Sequence, residues 1–149
     1  MITQLVSPKG KEVLVGGVGP TILIGEKINP FGKGPIKEAL ISGNMEPVRD
    51  EAIKQVEAGA DVLIISVAAF GIDEVVTLPK ATQAVMEAAD VPICIESRNP
   101  VALEKALQLG CGKPIISSVT GEAIHLDQLL PLVKKYNTAF VALASDSSG

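Results

Sequence analysis

Pro92-Ile-Cys-Ile-Glu-Ser-Arg-Asn-Pro100 carries the repeating unit of this chain in one short stretch. Residues 92–95 are apolar without interruption, the mark of a strand buried on both faces. Glu96, Ser97 and Arg98 then end the apolar run abruptly. Asn99 is a side chain that caps helices, and Pro100 suits the first helical position, where no backbone N–H is needed. Leu103, Ala106 and Leu107 follow at helical spacing, and Gly110 stops the helix. Strand, polar strand end and helix are written consecutively.

The same unit recurs on both sides. Residues 21–24, 62–67, 114–119 and 139–143 read as further strands of the same unbroken apolar kind. Between them run helical stripes: Ile36, Ala39 and Leu40 after Pro35, then Val48, Ala52, Val56 and Ala60. Leu78, Val85, Met86 and Ala89 follow with Pro79 near their start, and Ile124, Leu129, Leu130 and Val133 come last. Alternating strands and helices predict the α/β class with a parallel sheet. This body occupies residues 20–149. In residues 1–19, segments 4–6 and 12–15 read as two short strands around Ser7-Pro-Lys-Gly-Lys11. Such a hairpin would suit a cover over the bottom of a barrel. Five strands with four intervening helical segments fit two architectures. A flavodoxin-like open sheet is complete with that number, whereas a (β/α)8 barrel would show only its first five units, with both edge strands unpaired. Periodicity does not choose between them.

Composition narrows the function classes. The 149 residues allow one domain with a sizeable core. Hydrophobic residues make up 47% and aromatics 3%, so Val, Ile, Leu and Ala fill that core, which favours buried parallel strands over an antiparallel sandwich. Net charge is −4, with both signs interspersed and no basic cluster, so nucleic acid is not an expected partner. A small anionic ligand remains compatible, because local charge outweighs the total. Cys94 lies in an apolar run and Cys111 between two glycines; without a CxxC pair they predict neither a metal site nor a disulfide. No apolar run reaches the roughly 20 residues that cross a bilayer, and the first residues lack a signal pattern. A cytoplasmic protein is expected.

Polar residues collect where strands end, the place at which both architectures bind ligands. They are Gly25-Glu-Lys-Ile-Asn-Pro30, Ser66 before Ala68 and Ala69, Glu96-Ser-Arg-Asn99, Ser117 and Ser118 with Thr120-Gly-Glu122, and Ser145-Asp146. A polar group at every strand end predicts a small-molecule site. Each residue also has a plainer reading. Glu96 could cap the next helix or pair with Arg98, and Glu26 and Asn29 could tie down a loop, a buried Glu accepting backbone N–H groups. Lys27 is either a solvated cation or the receiver of an anionic tail. Ser117 and Ser118 could serve packing alone, and His125 reads as a surface residue. Gly32 and Gly34 fit neither a P-loop nor GxGxxG, so they read as a flexible loop.

The same residues carry a resemblance. Gly25-Glu-Lys-Ile-Asn29 is followed by Gly34-Pro-Ile-Lys-Glu-Ala-Leu40, Glu57-Ala-Gly-Ala-Asp-Val-Leu63 and Ile93-Cys-Ile-Glu-Ser97 with Asn99-Pro100. Ile116-Ser-Ser118 with Gly121-Glu122, and Ala142-Leu143 with Asp146, complete the set. In order and spacing it resembles the pterin-binding methyltetrahydrofolate:corrinoid methyltransferases, relatives of dihydropteroate synthase and of the folate module of cobalamin-dependent methionine synthase. The resemblance implies a TIM (β/α)8 barrel, present as about its first five β-α units with an N-terminal hairpin. It implies a tetrahydrofolate-type pterin at the C-terminal mouth, giving its N5 methyl to the cobalt of cobalamin carried by a separate corrinoid protein. Acid assistance is then needed, since an unprotonated tertiary amine leaves poorly. Glu96 would recognise the pterin's amino-pyrimidine edge, Ser66, Ser117 and Asp146 would line the pocket, and Asn29 would support it. This chain departs from the pattern in four places. Ile64 and Ser66 stand where the family has Asp and Asn, Glu96 is one methylene longer than the usual Asp, and Ser117 replaces Asn. A homo-oligomer is expected, because unpaired strand edges seek partners. Two other readings stay open: a non-catalytic truncated barrel that binds a partner, and another α/β enzyme for a small anionic substrate.

Overall fold

The computed structural model describes residues 2–31 and 34–145. Its elements are β1 (Ile2–Val6), β2 (Glu12–Gly16), β3 (Ile24–Ile28), α1 (Pro35–Ser42), α2 (Glu46–Glu57) and β4 (Val62–Ser66). Then come α3 (Glu74–Ala88), β5 (Ile93–Glu96), α4 (Pro100–Leu107), β6 (Ile115–Thr120), α5 (Ala123–Lys135) and β7 (Ala139–Leu143).

Strands β3 to β7 form one parallel sheet in the order of the sequence, β3-β4-β5-β6-β7. That order separates the two candidate architectures. A doubly wound sheet reverses direction at a switch point, so some sheet neighbours are not sequence neighbours. A barrel steps to the next position every time. Here every step goes forward, and the open flavodoxin-like sheet is excluded.

Alternation along each strand builds two layers. Leu63 and Ile65 of β4, Ile93 and Ile95 of β5, and Ile116 of β6 pack against the helices, joining Val48, Leu78, Val85, Leu103 and Leu129 in one buried core. The residues between them, Val62, Ile64, Cys94, Ile115 and Ala139, face the other way and form an inner cluster. Both sides of a strand are thus apolar, which is why the strands read as unbroken runs. Each Leu or Ile so buried stabilises the fold by roughly 1.5–3 kcal/mol.

The hairpin β1–β2 completes the inner cluster from below. Leu5 and Val13 are buried against Val62, Cys94 and Ile115, near the starts of β4, β5 and β6. Val6 and Lys113 exchange both backbone hydrogen bonds, at 3.2 and 2.9 Å, and the Ser7 hydroxyl donates to Asp90 at 2.6 Å. The expected cover over the barrel bottom is there. Gly112 makes the contact possible: its φ is +74°, and a Cβ on it would stand 2.4 Å from the Val6 carbonyl oxygen.

The structure corrects two local expectations. The first barrel strand is Ile24–Ile28, not residues 21–24, so Glu26 and Lys27 belong to the strand instead of the loop after it. Asp61 anchors the preceding segment, its carboxylate accepting from the Leu23 N–H at 2.9 Å and its own N–H donating to the Leu23 carbonyl at 2.8 Å. The register against β4 then shifts between Gly25 and Ile28, and Gln55 of α2 accepts the Lys27 N–H at 3.2 Å. Gly25 leaves room for that contact: a Cβ there would lie 2.4 Å from the Gln55 side-chain oxygen and displace the side chain. The second correction concerns α5, whose expected stripe is rotated: Leu129 and Leu132 are buried, while Ile124 and Leu130 are exposed. Among the described residues α5 has a neighbouring helix, α4, on one side only, so a narrower face is covered. No helix among the described residues is long and apolar enough to cross a membrane.

Candidate functional site

Parallel pairing sets Ser66 of β4 opposite Glu96 of β5, and Glu96 opposite Ser117 of β6. Two residues earlier, Ile64 pairs with Cys94 on the inner face. Ser66, Glu96 and Ser117 therefore form a polar row across three strand ends, above a floor of Ile64 and Cys94. A cavity of about 310 Å³ opens at this row, lined also by Phe31, Glu74, Arg98 and Ser118. The sheet brings together three of the five expected pocket residues.

Neither plain reading of Glu96 holds. The helix after it is capped by Asn99, whose side-chain oxygen accepts from the Val101 and Ala102 N–H groups at 3.0 and 3.2 Å. The ion pairs among the described residues join Arg49 to Glu46 and Glu87, His125 to Glu122, and Lys135 to Glu104. Arg98 is in none of them. Among the described residues the Glu96 carboxylate has no hydrogen-bond or ion-pair partner, and it is exposed at the cavity.

Glu74 lines the cavity without having been singled out in the sequence, and it meets Ser97 of the polar strand end. The Ser97 hydroxyl, almost fully buried, donates to Glu74 at 2.6 Å and accepts the Asn99 N–H at 3.0 Å. The Ser97 N–H donates to the Ser117 carbonyl at 3.2 Å. The end of β5 is thereby clamped to β6 and to the start of both flanking helices, which holds Glu96 in place. Asp73, the cap of α3, was a readable signal, since its carboxylate accepts the Val75 N–H at 2.9 Å. That Glu74 meets Ser97 is a tertiary fact without a local pattern.

Of the other polar residues singled out in the sequence, those within the described structure do not line this cavity. Asn29 donates to the Glu26 carbonyl and accepts the Phe31 N–H at 3.0 Å. It supports the loop that carries Phe31 to the mouth and does not line the cavity. Glu26 is no buried tether: its side chain is exposed, and only its backbone carbonyl takes part. Lys27 is exposed on β3. Asp146 and Gly32 lie outside the described residues. His125 is not a free surface residue; its side chain is 15% exposed and its Nδ1 lies 2.6 Å from the Thr120 hydroxyl, which ties the β6–α5 turn. A larger groove of about 430 Å³ runs between β3 and α2, lined by Leu23, Lys27, Lys54 and Gln55. It flanks an edge strand on the helix side, away from the converging strand ends, so it is the weaker candidate.

The floor has its own electrostatics. Burial first, and then the nearby Glu96 charge, push the Cys94 thiol up to about 12 against a lowering hydrogen bond from Ser117. Burial alone pushes Cys111 up to about 12. Both thiols stay protonated and apolar in the folded protein. In the unfolded chain they ionise near the ordinary value of about 8.5, so their stabilising contribution is complete below that pH and is lost as pH rises toward 12. The slope is about 1.4 kcal/mol per pH unit for each thiol. Both cysteines should resist a thiol-specific reagent at pH 8 and react fully in denaturant. Prompt native-state labelling of Cys94 would refute a closed floor.

Comparison with known proteins supplies the family. The family model described as pterin binding enzyme matches residues 29–148, nearly the whole β-α body. The chain belongs to the pterin-binding enzyme family. It is 36% identical over 132 residues to the methylcorrinoid:tetrahydrofolate methyltransferase of Eubacterium limosum, covering 86% of this chain and 48% of that protein. It is 27% identical over 133 residues to methionine synthase of Mycobacterium tuberculosis, covering 86% of this chain and 11% of that enzyme. Among solved structures, dihydropteroate synthase from Thermus thermophilus superposes with a TM-score of 0.66 at 21% identity, covering 93% of this chain and 47% of that one. At that identity the likeness carries the barrel fold alone. This member of the pterin-binding family thus spans about half the length, or less, of the relatives it matches.

Proposed function

We propose that this chain supplies the pterin site of a methyltransferase, in which a methyl group moves between a tetrahydrofolate-type pterin and the cobalt of a corrinoid held by a separate protein. The observation that carries the proposal is the unpartnered Glu96 carboxylate at the centre of the Ser66–Glu96–Ser117 row. An amino-pyrimidine edge offers adjacent N–H donors, and one carboxylate can accept two of them. Each such charged hydrogen bond is worth roughly 1.5–3 kcal/mol when shielded from water. Ser66 and Ser117 offer hydroxyls on either side, and Ile64 and Cys94 give an apolar floor for a flat ring. The cavity is within the usual range for a small-molecule pocket.

The methyl group on N5 is the pterin's chemistry; this chain's residues bind and orient the ring. Ile64, at the position of a family acid, makes the floor apolar, so proton assistance to N5 has to come from another group. The similarity to the methylcorrinoid:tetrahydrofolate methyltransferase of Eubacterium limosum supports methyl transfer involving a folate and a corrinoid. The two free thiols suit a reducing, cytoplasmic setting. A second reading, a binding module without catalysis, is favoured by the outer edges of β3 and β7, which pair with no strand among the described residues. Calorimetric titration of the assembled protein with methyltetrahydrofolate tests the site. Glu96→Gln replaces an acceptor oxygen with a donor and should weaken binding by roughly ten- to a hundredfold. Unchanged affinity with the fold intact would remove Glu96 from the site. Tight binding without methyl transfer to a cobalt(I) acceptor, or from a methylcobalt donor to tetrahydrofolate, would favour the binding module.

A further inference from the structure

Two carboxylates line the mouth cavity, and their surroundings suit them to different roles. Glu96 stands free, with both oxygens open to a ring edge. Glu74, the first residue of α3, is half-buried, and only one of its oxygens is engaged. Its Oε2 accepts the Ser97 hydroxyl at 2.6 Å, and among the described residues its Oε1 has no partner. The Ser97 hydroxyl accepts the Asn99 N–H at 3.0 Å, so its one proton is committed to Glu74. Glu74 is thus held by one oxygen, with the other left for the cavity. The charged groups that share the cavity with it are Glu96 and Arg98, while the neighbouring Asp73 is occupied in capping α3. Ile64, in the floor, has nothing to titrate, so the proton at N5 needs a carrier from the cavity wall.

We infer that Glu74 is the proton carrier of the methyl-transfer site, acting through its free oxygen Oε1. When a tetrahydropterin is methylated, the N5 lone pair forms a bond to the methyl carbon. The bond from that carbon to the methyl donor, a methylated corrinoid, breaks with its electron pair left on the donor. The N5–H proton passes to Oε1 while Oε2 keeps the Ser97 hydrogen bond, so no side chain has to turn. In the reverse direction the same carboxyl, now protonated, gives the proton to N5 and makes it a leaving group. Glu96 is unsuited to this step, because it has to stay ionised to accept two N–H groups from the ring edge. Two acids with different surroundings divide ring recognition and proton transfer between them. This inference rests on the pterin reading given above, and the test keeps the two apart.

The assembled protein and its Glu74→Gln variant are titrated calorimetrically with tetrahydrofolate and methyltetrahydrofolate, in buffers of different ionisation heat, to count the protons taken up. Methyltetrahydrofolate has a lone pair but no N–H at N5, so it selects protonated Glu74, whereas tetrahydrofolate can donate its N5–H to the carboxylate. The parent should therefore take up more protons with the methylated ligand. The Gln amide oxygen can still accept from Ser97, but its NH2 group cannot take a proton. Glu74→Gln should abolish the difference in uptake and slow methyl transfer roughly a hundredfold. Its affinity for tetrahydrofolate should stay within about threefold of the parent's. Ser97→Ala loses the clamp but keeps the carboxylate, and it should retain the difference even where Glu74→Gln lowers the melting temperature. Equal uptake with both ligands in the parent, a difference that survives in Glu74→Gln, or one lost equally in Ser97→Ala would overturn the inference. So would a loss of affinity for both ligands in Glu74→Gln as large as that in Glu96→Gln. Failure of the parent to bind either folate would overturn the pterin reading itself, and the proton role with it.

Discussion

Purified alone, the 149-residue chain is expected to sediment as an associated species and not as a compact monomer. Among the described residues β3 and β7 each have one strand partner, so their outer N–H and C=O groups face no ladder there. Leu23 and Ile24 at one edge, and Phe140, Val141 and Leu143 at the other, are exposed apolar residues. A complete eight-stranded barrel would cover these positions and close the inner face. At about 25 cal/mol per Å², leaving roughly 400 Å² of such surface in water forfeits about 10 kcal/mol. That equals the whole stability of many domains. Association, completion by another chain, or membership of a longer polypeptide each removes the deficit. Sedimentation velocity over a range of concentrations is the measurement. A monomer that stays compact on dilution and melts cooperatively would contradict the open-barrel account.

The second large effect is expected at Gly112. Gly112→Ala places a methyl group 2.4 Å from the Val6 carbonyl oxygen and 2.6 Å from that of Ser7, with backbone atoms on the far side that cannot rotate away. Its φ of +74° adds left-handed strain of roughly 1–2 kcal/mol for a residue with a Cβ. Relief requires the hairpin to lift, which breaks the Val6–Lys113 pair and uncovers Leu5 and Val13. A total cost of about 3–5 kcal/mol follows, or a fall of roughly 10 °C in Tm. Gly110→Ala is the matched control, since its φ is +79° but no atom lies within 4 Å of where its Cβ would stand. It should lose only the strain. Equal losses at the two glycines would show that hairpin contact contributes nothing.

Residues whose environment follows from the local pattern were legible from the sequence. β4, β5 and β6 stood out because both of their faces are buried, and α4 because Asn99 and Pro100 mark its start. The row Ser66–Glu96–Ser117 was legible as three separate strand ends, and the resemblance named them together. β3 was misplaced because its ladder is broken by Gln55, which comes from a helix 28 residues further on. No apolar periodicity encodes such a substitution of side chain for strand. The Glu74–Ser97 clamp and the buried contact of His125 with Thr120 were missed for the same reason: each is created by packing between elements. The phase of α5 went astray because pattern reading assumes a neighbour on both sides of a helix.

Sequential strand order also governs how the nascent chain meets its partners. Each barrel strand pairs with the one made just before it, so the sheet can grow as the polypeptide leaves the ribosome. The hairpin is the exception. β1 and β2 are synthesised before the barrel strands, yet Ser7 bonds to Asp90, 83 residues later. At roughly 5–20 residues per second, that partner emerges some 4–17 seconds after the hairpin. A lone two-stranded hairpin is marginal in water. For those seconds its apolar residues Leu5 and Val13 have nothing to cover, which makes the newborn hairpin a natural point of contact for a chaperone.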